Sequence, residues 1–306
     1  MFNVITRVFV LATLITGVFF SSVTYGLGTP PTVYGINPPN TTNNVTITNS
    51  DTVDVTSTAA ESVAGISSVA NFTTINNPST GTINSTTGGV GWAYGIYSIG
   101  DNNIITNFGT INANTEDSGG AIGINIANMW DGESYHNFLT NSGNIFATAG
   151  AAGEADGIYS MGDSNTITNS GNIYARTGVN GSAYGIYSMG DSNRITNSGT
   201  ITATAGDGVS AEAIGIYFQY DSNIITNSGS INATAGAAGN AGGIWSIGDS
   251  NTITNSGTIN ATAGGNGWAY GIRSDGNNNT ITNSGTITAT AGDSGQAYGI
   301  LSGGNN

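Results

Sequence analysis

The 306-residue chain has no cysteine and no lysine, a single histidine and five prolines. Without cysteine there are no disulfide staples and no thiolate metal site. Few prolines and no Gly-X-Y period exclude collagen, in spite of 48 glycines. Charge is scarce too. Four arginines (Arg7, Arg176, Arg194, Arg273) face 18 acidic residues, and the formal net charge is −14. No basic footprint for nucleic acid can be assembled from these, and an anionic membrane surface would repel the chain. Disorder goes with high charge and few β-branched residues, the reverse of this composition.

Long apolar runs are missing as well, except at the start. Residues 1–7 carry one positive charge, residues 8–20 (VFVLATLITGVFF) are apolar, and residues 21–26 are mostly small. That order reads as a secretory signal peptide over 1–26, too short to span a bilayer, with cleavage expected after Thr24 or Gly26. Residues 27–60 are expected to form an N-terminal cap and first coil, and 61–306 the repeats.

What the sequence does have is one unit copied about ten times. Gly-Ile recurs at Gly35, Gly65, Gly95, Gly123, Gly157, Gly185, Gly215, Gly243, Gly271 and Gly299, mostly 28 or 30 residues apart. Asn-Ser-Gly recurs between these landmarks, and the length changes fall in between. A fixed period of this length is the mark of a solenoid. Residues 184–205, YGIYSMGDSNRITNSGTITATA, show alternation and no helical period. Ile195, Asn197, Gly199, Ile201, Ala203 and Ala205 share one parity, expected inward; Thr196, Ser198, Thr200, Thr202 and Thr204 share the other. Three strands per coil are expected, at 184–188, Arg194–Asn197 and Thr200–Ala205. The prediction is an all-β, right-handed parallel β-helix of about 9–10 coils with a 28–30-residue repeat. Two 14-residue coils per repeat is the competing arrangement. One inward column is polar: Asn107, Asn141, Asn169, Asn197, Asn227, Asn255 and Asn283. Stacked amides can bond along the axis, and Asn tolerates the left-handed conformation of a bend.

The units GIYSMGDSNTITNSGNI (157–173) and GIWSIGDSNTITNSGTINATAG (243–264) resemble the repeats of bacterial autotransporter passenger domains of the β-helix type. That resemblance, over about residues 35–302, implies export and display at the outer membrane or outside the cell. It also implies adhesion to a host or environmental surface ligand or glycan. The β-barrel translocator that it implies has no counterpart up to Asn306, where the sequence stops within a tenth repeat.

Candidate sites lie outside the core columns. Asp101, Asp163, Asp191, Asp221 and Asp249 stack in the GDSN turn. They either accept turn N–H groups or hold a cation such as Ca²⁺, the latter at Asp163, Asp191, Asp221 and Asp249. The calcium pattern G-G-x-G-x-D fails, with Ala93 and Ala269 at the ligand position. Tyr97, Tyr159, Tyr187, Tyr217 and Trp245 form an outward aromatic column, interrupted by Asn125 and Arg273. It serves either as a sugar-binding surface or as a stiffening ladder. Six extra residues near 128–137 bring Trp130, Tyr135 and His136, as a recognition loop or a neutral insertion. The expected binding residues are therefore Tyr159, Tyr187, Tyr217, Trp245, Trp130 and Tyr135. Catalysis is not expected, because the few basic residues are scattered and polysaccharide lyases need a base. Polysaccharide processing is the alternative. An ice-binding threonine array is the third, weakened by Phe146, Tyr174 and Arg176 within its columns.

Overall fold

The computed structural model describes residues 23–25, 33–36, 44–126, 135–209 and 211–304. Most of residues 1–26, expected from the sequence to be a signal peptide, lie outside the described residues. Within them the chain forms a parallel β-helix of nine complete three-stranded coils and one strand of a tenth, with no helix.

First strands of the coils, from Val33–Ile36 to Gln296–Gly303, build a ten-stranded parallel sheet, here the Gly-Ile sheet. Second strands, from Thr46–Thr48 to Thr280–Asn283, build a nine-stranded short sheet. Third strands, from Thr52–Ser57 to Thr286–Thr290, build the threonine sheet, which Val23–Tyr25 joins beside Thr52–Ser57. The register pairs each residue with its counterpart one repeat on: Ile124 with Ile158, Ile158 with Ile186, Ile186 with Ile216. One coil per repeat therefore replaces the 14-residue alternative. In the unit read from sequence, the strands are Ser182–Met189, Arg194–Asn197 and Thr200–Ala205.

Isoleucines from all three sheets meet in one cluster, including Ile186, Ile195 and Ile201. Each is worth roughly 1.5–3 kcal/mol when fully buried. Alanines fill a second cluster between the Gly-Ile and threonine sheets, among them Ala183, Ala203, Ala205 and Ala213. The repeated glycine follows from this packing. A Cβ on Gly185 would stand 2.1 Å from Ile201 Cγ2 and 2.5 Å from the Gly215 carbonyl oxygen. No side chain fits there, so every coil keeps Gly before Ile.

The inward asparagines bond along the axis as expected. Asn169 Nδ2 donates to Asn197 Oδ1 at 2.7 Å, Asn197 to Asn227 at 2.7 Å, and Asn227 to Asn255 at 2.7 Å. The ladder begins earlier than the sequence suggested, with Asn49 donating to Asn77 and Asn77 to Asn107. Its members do not adopt the left-handed conformation. That role falls to the serine of the GDSN turn, as at Ser164 (φ 59°), Ser192 (φ 59°) and Ser250 (φ 59°). The asparagine that follows builds a second ladder, unnoticed in the sequence: Asn165 N–H donates to Asn193 Oδ1 at 2.7 Å, and Asn193 N–H to Asn223 Oδ1 at 2.7 Å.

Ile186→Asp buries a carboxylate in the isoleucine cluster and is expected to cost several kcal/mol. Thr202→Asp, on the outer face of the threonine sheet, should change stability by no more than about 0.5 kcal/mol. Thermal melts of the two variants check this assignment of faces; equal melting temperatures would contradict it.

Candidate functional site

Each strand of the Gly-Ile sheet breaks its alternation at the glycine. In Ser182–Met189, Gly185 and Ile186 are both buried, so Tyr184 before them and Tyr187 after them both face outward and are half-buried. The column read from sequence is accordingly real and in register. Tyr97, Asn125, Tyr159, Tyr187, Tyr217, Trp245 and Arg273 lie side by side on successive strands.

A second outward column, missed in the sequence, runs beside it through Tyr94, Ile122, Asp156, Tyr184, Ile214, Gly242, Tyr270 and Tyr298. Strict alternation counted back from Ile186 turns Tyr184 inward, and the double inward step at the glycine cancels that count. The available signal was size: a tyrosine recurs before Gly-Ile at Tyr34, Tyr94, Tyr184, Tyr270 and Tyr298, too large for a core already filled by isoleucine and alanine. Together the columns form one aromatic face. Ring centroids are 5.3 Å apart for Tyr159–Tyr187, 5.0 Å for Tyr187–Tyr217, 5.0 Å for Tyr184–Tyr187 and 5.7 Å for Tyr217–Trp245. The T-shaped Tyr159–Tyr187 and Tyr217–Trp245 pairs, at 77° and 88°, are favourable ring geometries.

Charges sit at both ends of the unbroken line of rings from Tyr159 to Trp245. At the late end the Arg273 guanidinium lies 4.2 Å from the Trp245 ring centroid and 5.3 Å from that of Tyr270. Its Nε donates to Asp275 Oδ2 at 2.7 Å, the one ion pair among the described residues. At the early end, Glu154 and Asp156 share the strand Glu154–Met161 with Tyr159. Asp156 is 0% exposed, and neither carboxyl oxygen has a hydrogen-bond partner. Burial, with the Glu154 charge beside it, pushes the Asp156 carboxyl well above the usual carboxylate range. Burial also raises Glu154 and lifts the Tyr97 and Tyr159 hydroxyls to about 12.

No family model, no curated protein and no solved structure matches the chain. The autotransporter resemblance thus rests on the repeat itself.

The remaining sequence candidates fall elsewhere. In the GDSN turn, each aspartate Oδ1 accepts the backbone N–H of the next coil: Asp191 to Asp163 at 2.7 Å, Asp221 to Asp191 at 2.8 Å, Asp249 to Asp221 at 2.7 Å. The carboxylate column is therefore engaged in turn bonding, and Asp249 accepts in addition from the Asn277 side chain. Among the described residues, no three of His, Cys, Asp and Glu gather as a metal-binding group. Trp130 lies outside the described residues. Tyr135 is not on the aromatic face. It takes the aspartate position of the turn, where its N–H donates to Asp101 Oδ1 at 3.0 Å. His136 (φ 57°) follows in the left-handed position and Asn137 in the ladder. The six extra residues consequently lie between Ile126 and Tyr135, and residues 135–137 belong to the regular coil.

Two expectations follow from these charges. In the unfolded chain Asp156 releases its proton near pH 4, whereas the folded chain holds it to higher pH. Stability should therefore fall as pH rises from about 4 through that window. Asp156→Asn should lose this part of the decline and melt higher at neutral pH. Identical pH profiles of melting temperature for the two proteins would refute the assignment. A chelator, for its part, should leave the melting temperature unchanged, because backbone N–H groups engage the turn aspartates. A loss restored by Ca²⁺ and not by Mg²⁺ would assign them to metal binding instead.

Proposed function

We propose that this chain is an exported, surface-displayed, autotransporter-like passenger, a non-catalytic solenoid whose aromatic face docks a host or environmental glycan. Export is supported by the apolar segment at 8–20, and display by the repeat. The observation that carries the docking reading is the line of half-buried rings from Tyr159 to Trp245, held at one spacing by the sheet beneath. Inward positions are filled by isoleucine, alanine and asparagine, which directs recognition to the exterior. Aromatic residues are the usual anchors of binding energy, and the threonine columns offer none of comparable size.

One observation favours cleavage of polysaccharide as a second reading: Glu154 and Asp156 are carboxyls with raised pKa on a ligand-facing surface, as a general acid requires. Release of shorter sugars that stops in Glu154→Gln or Asp156→Asn would install that reading. The ice-binding alternative has the opposite support, since Phe146, Tyr174 and Arg176 stand in register within the threonine sheet and interrupt the array.

A glycan array probed with wild type and with the Tyr159, Tyr187, Tyr217, Trp245→Ser variant tests the proposal. The variant should bind at least about tenfold more weakly, which is ~1.4 kcal/mol, while Thr202→Ser and Thr204→Ser together change nothing. Undiminished binding by the aromatic variant places the ligand on another surface.

A further inference from the structure

The aromatic face brings rings and carboxylates together in three places: in the middle the Tyr184 hydroxyl donates to Glu212 Oε2 at 3.1 Å, and of the other two one also holds a cation. At the late end, Trp245 and Tyr270 flank the Arg273 guanidinium, and Asp275 Oδ2 accepts from both Arg273 Nε (2.7 Å) and Trp245 Nε1 (3.2 Å). Four coils earlier, Glu154 and Asp156 stand among Tyr94, Tyr159, Tyr184 and Tyr187. The hydroxyls of all four tyrosines are raised, first by burial; the charges of both acids contribute at Tyr94, Tyr159 and Tyr187, whereas at Tyr184 Glu212 contributes most after burial and Asp156 adds to it. Among the described residues no arginine stands there. Arg176 and Arg194 belong to the other two sheets, and Arg273 is the one beside Trp245.

The early end is also short of donors. Both Asp156 oxygens lack a partner, and so does Asn125 Oδ1, on the preceding strand and 6% exposed. A buried acceptor without a donor costs free energy, as does a buried carboxylate without a counter-charge. Without a ligand Asp156 meets that cost by keeping its proton; a cation bearing N–H groups supplies donor and counter-charge in the proton's place, and aromatic faces hold such groups well. Asp156 stands between Ile122 and Tyr184 in its column and is smaller than both. Asp156 is 0% exposed, so access to it requires rotation of the neighbouring tyrosines, a side-chain motion within the folded state.

We propose that the Glu154–Asp156 end of the aromatic face binds an organic cation, specifically the ammonium group of an amino-sugar-containing glycan. This rests on the reading of the face as a glycan-docking surface. A sugar source is favoured over a protein lysine because the acids do not stand alone. They open onto a straight line of rings at Tyr159, Tyr187, Tyr217 and Trp245, one per coil, which suits a linear polymer of flat units running along the axis. The net charge of −14 attracts such a polymer from a distance.

Calorimetric titration of the full chain with three probes tests the inference. These are a glucosamine hexamer with its amines protonated, the fully N-acetylated hexamer, and a lysine-rich hexapeptide. The glucosamine hexamer should bind wild type at least about tenfold more tightly than the acetylated one. That advantage should vanish in the Glu154→Gln, Asp156→Asn double variant, whose fold is expected to be at least as stable as wild type. The Tyr159, Tyr187, Tyr217, Trp245→Ser variant should lose both hexamers. Equal binding of the two hexamers, lost only in the aromatic variant, overturns the cation site and leaves the docking face standing. Binding of the peptide alone overturns the glycan source. Flat titrations with all three probes overturn the inference outright, and the glycan array then decides the docking reading separately.

Discussion

A buried amide must find a partner, and in this protein the partner is the same residue one coil away. Asn169, Asn197, Asn227 and Asn255 each give a proton to the next and take one from the last. The backbone N–H of Asn165 and of Asp191 is satisfied by the side chain of an equivalent residue in a neighbouring coil. No single coil can meet these demands, because each bond needs the adjacent copy at the same height. The constraint propagates outward. It holds Ile over Ile and Ala over Ala, it brings Ile201 so close to Gly185 that no Cβ fits, and it confines length changes to the turns and loops. The 34-residue coil obeys it too, since Asn137 still receives the N–H of Asn103 across the insertion.

Because the inside must repeat, individuality is left to the outside. The outward column of the Gly-Ile sheet shows this best, with Tyr, Asn, Tyr, Tyr, Tyr, Trp and Arg at equivalent positions over an unvarying row of isoleucine. Acidic residues divide in the same way. The turn aspartates sit at the surface, and a neighbouring coil's backbone N–H answers each of them. Asp156 is enclosed and unanswered, so its environment stabilises the neutral acid.

Most of the architecture was legible because period and parity are properties of the sequence itself. The strands Arg194–Asn197 and Thr200–Ala205 have the expected bounds, and Ile195, Asn197, Ile201 and Ala203 point inward as their parity requires. Parity failed in one place, for a physical reason. Where Gly185 lets the strand bend, two consecutive residues face the core, and Tyr184 emerges on the outside. That single step concealed half of the aromatic face, together with Asp156. The second asparagine ladder was hidden differently: its residues follow the left-handed serine of the turn, where counting alternate residues has no meaning. Tyr135 was misplaced because an insertion was counted from the glycines, whereas the turn resumes its own register before the next strand.

The hydrogen bonds that join coil to coil run along the axis, which gives the protein a particular mechanical character. Tension applied between the two ends does not shear a whole sheet at once; it loads one interface and peels coils away in turn, as expected where each repeat touches only its neighbours. A coil contributes ~4.8 Å of length while it is stacked. Released, its 28 residues can extend to roughly 95 Å. Each rupture therefore lengthens the tether about twentyfold for that coil, relaxes the force, and leaves the remaining stack intact with a fresh identical edge.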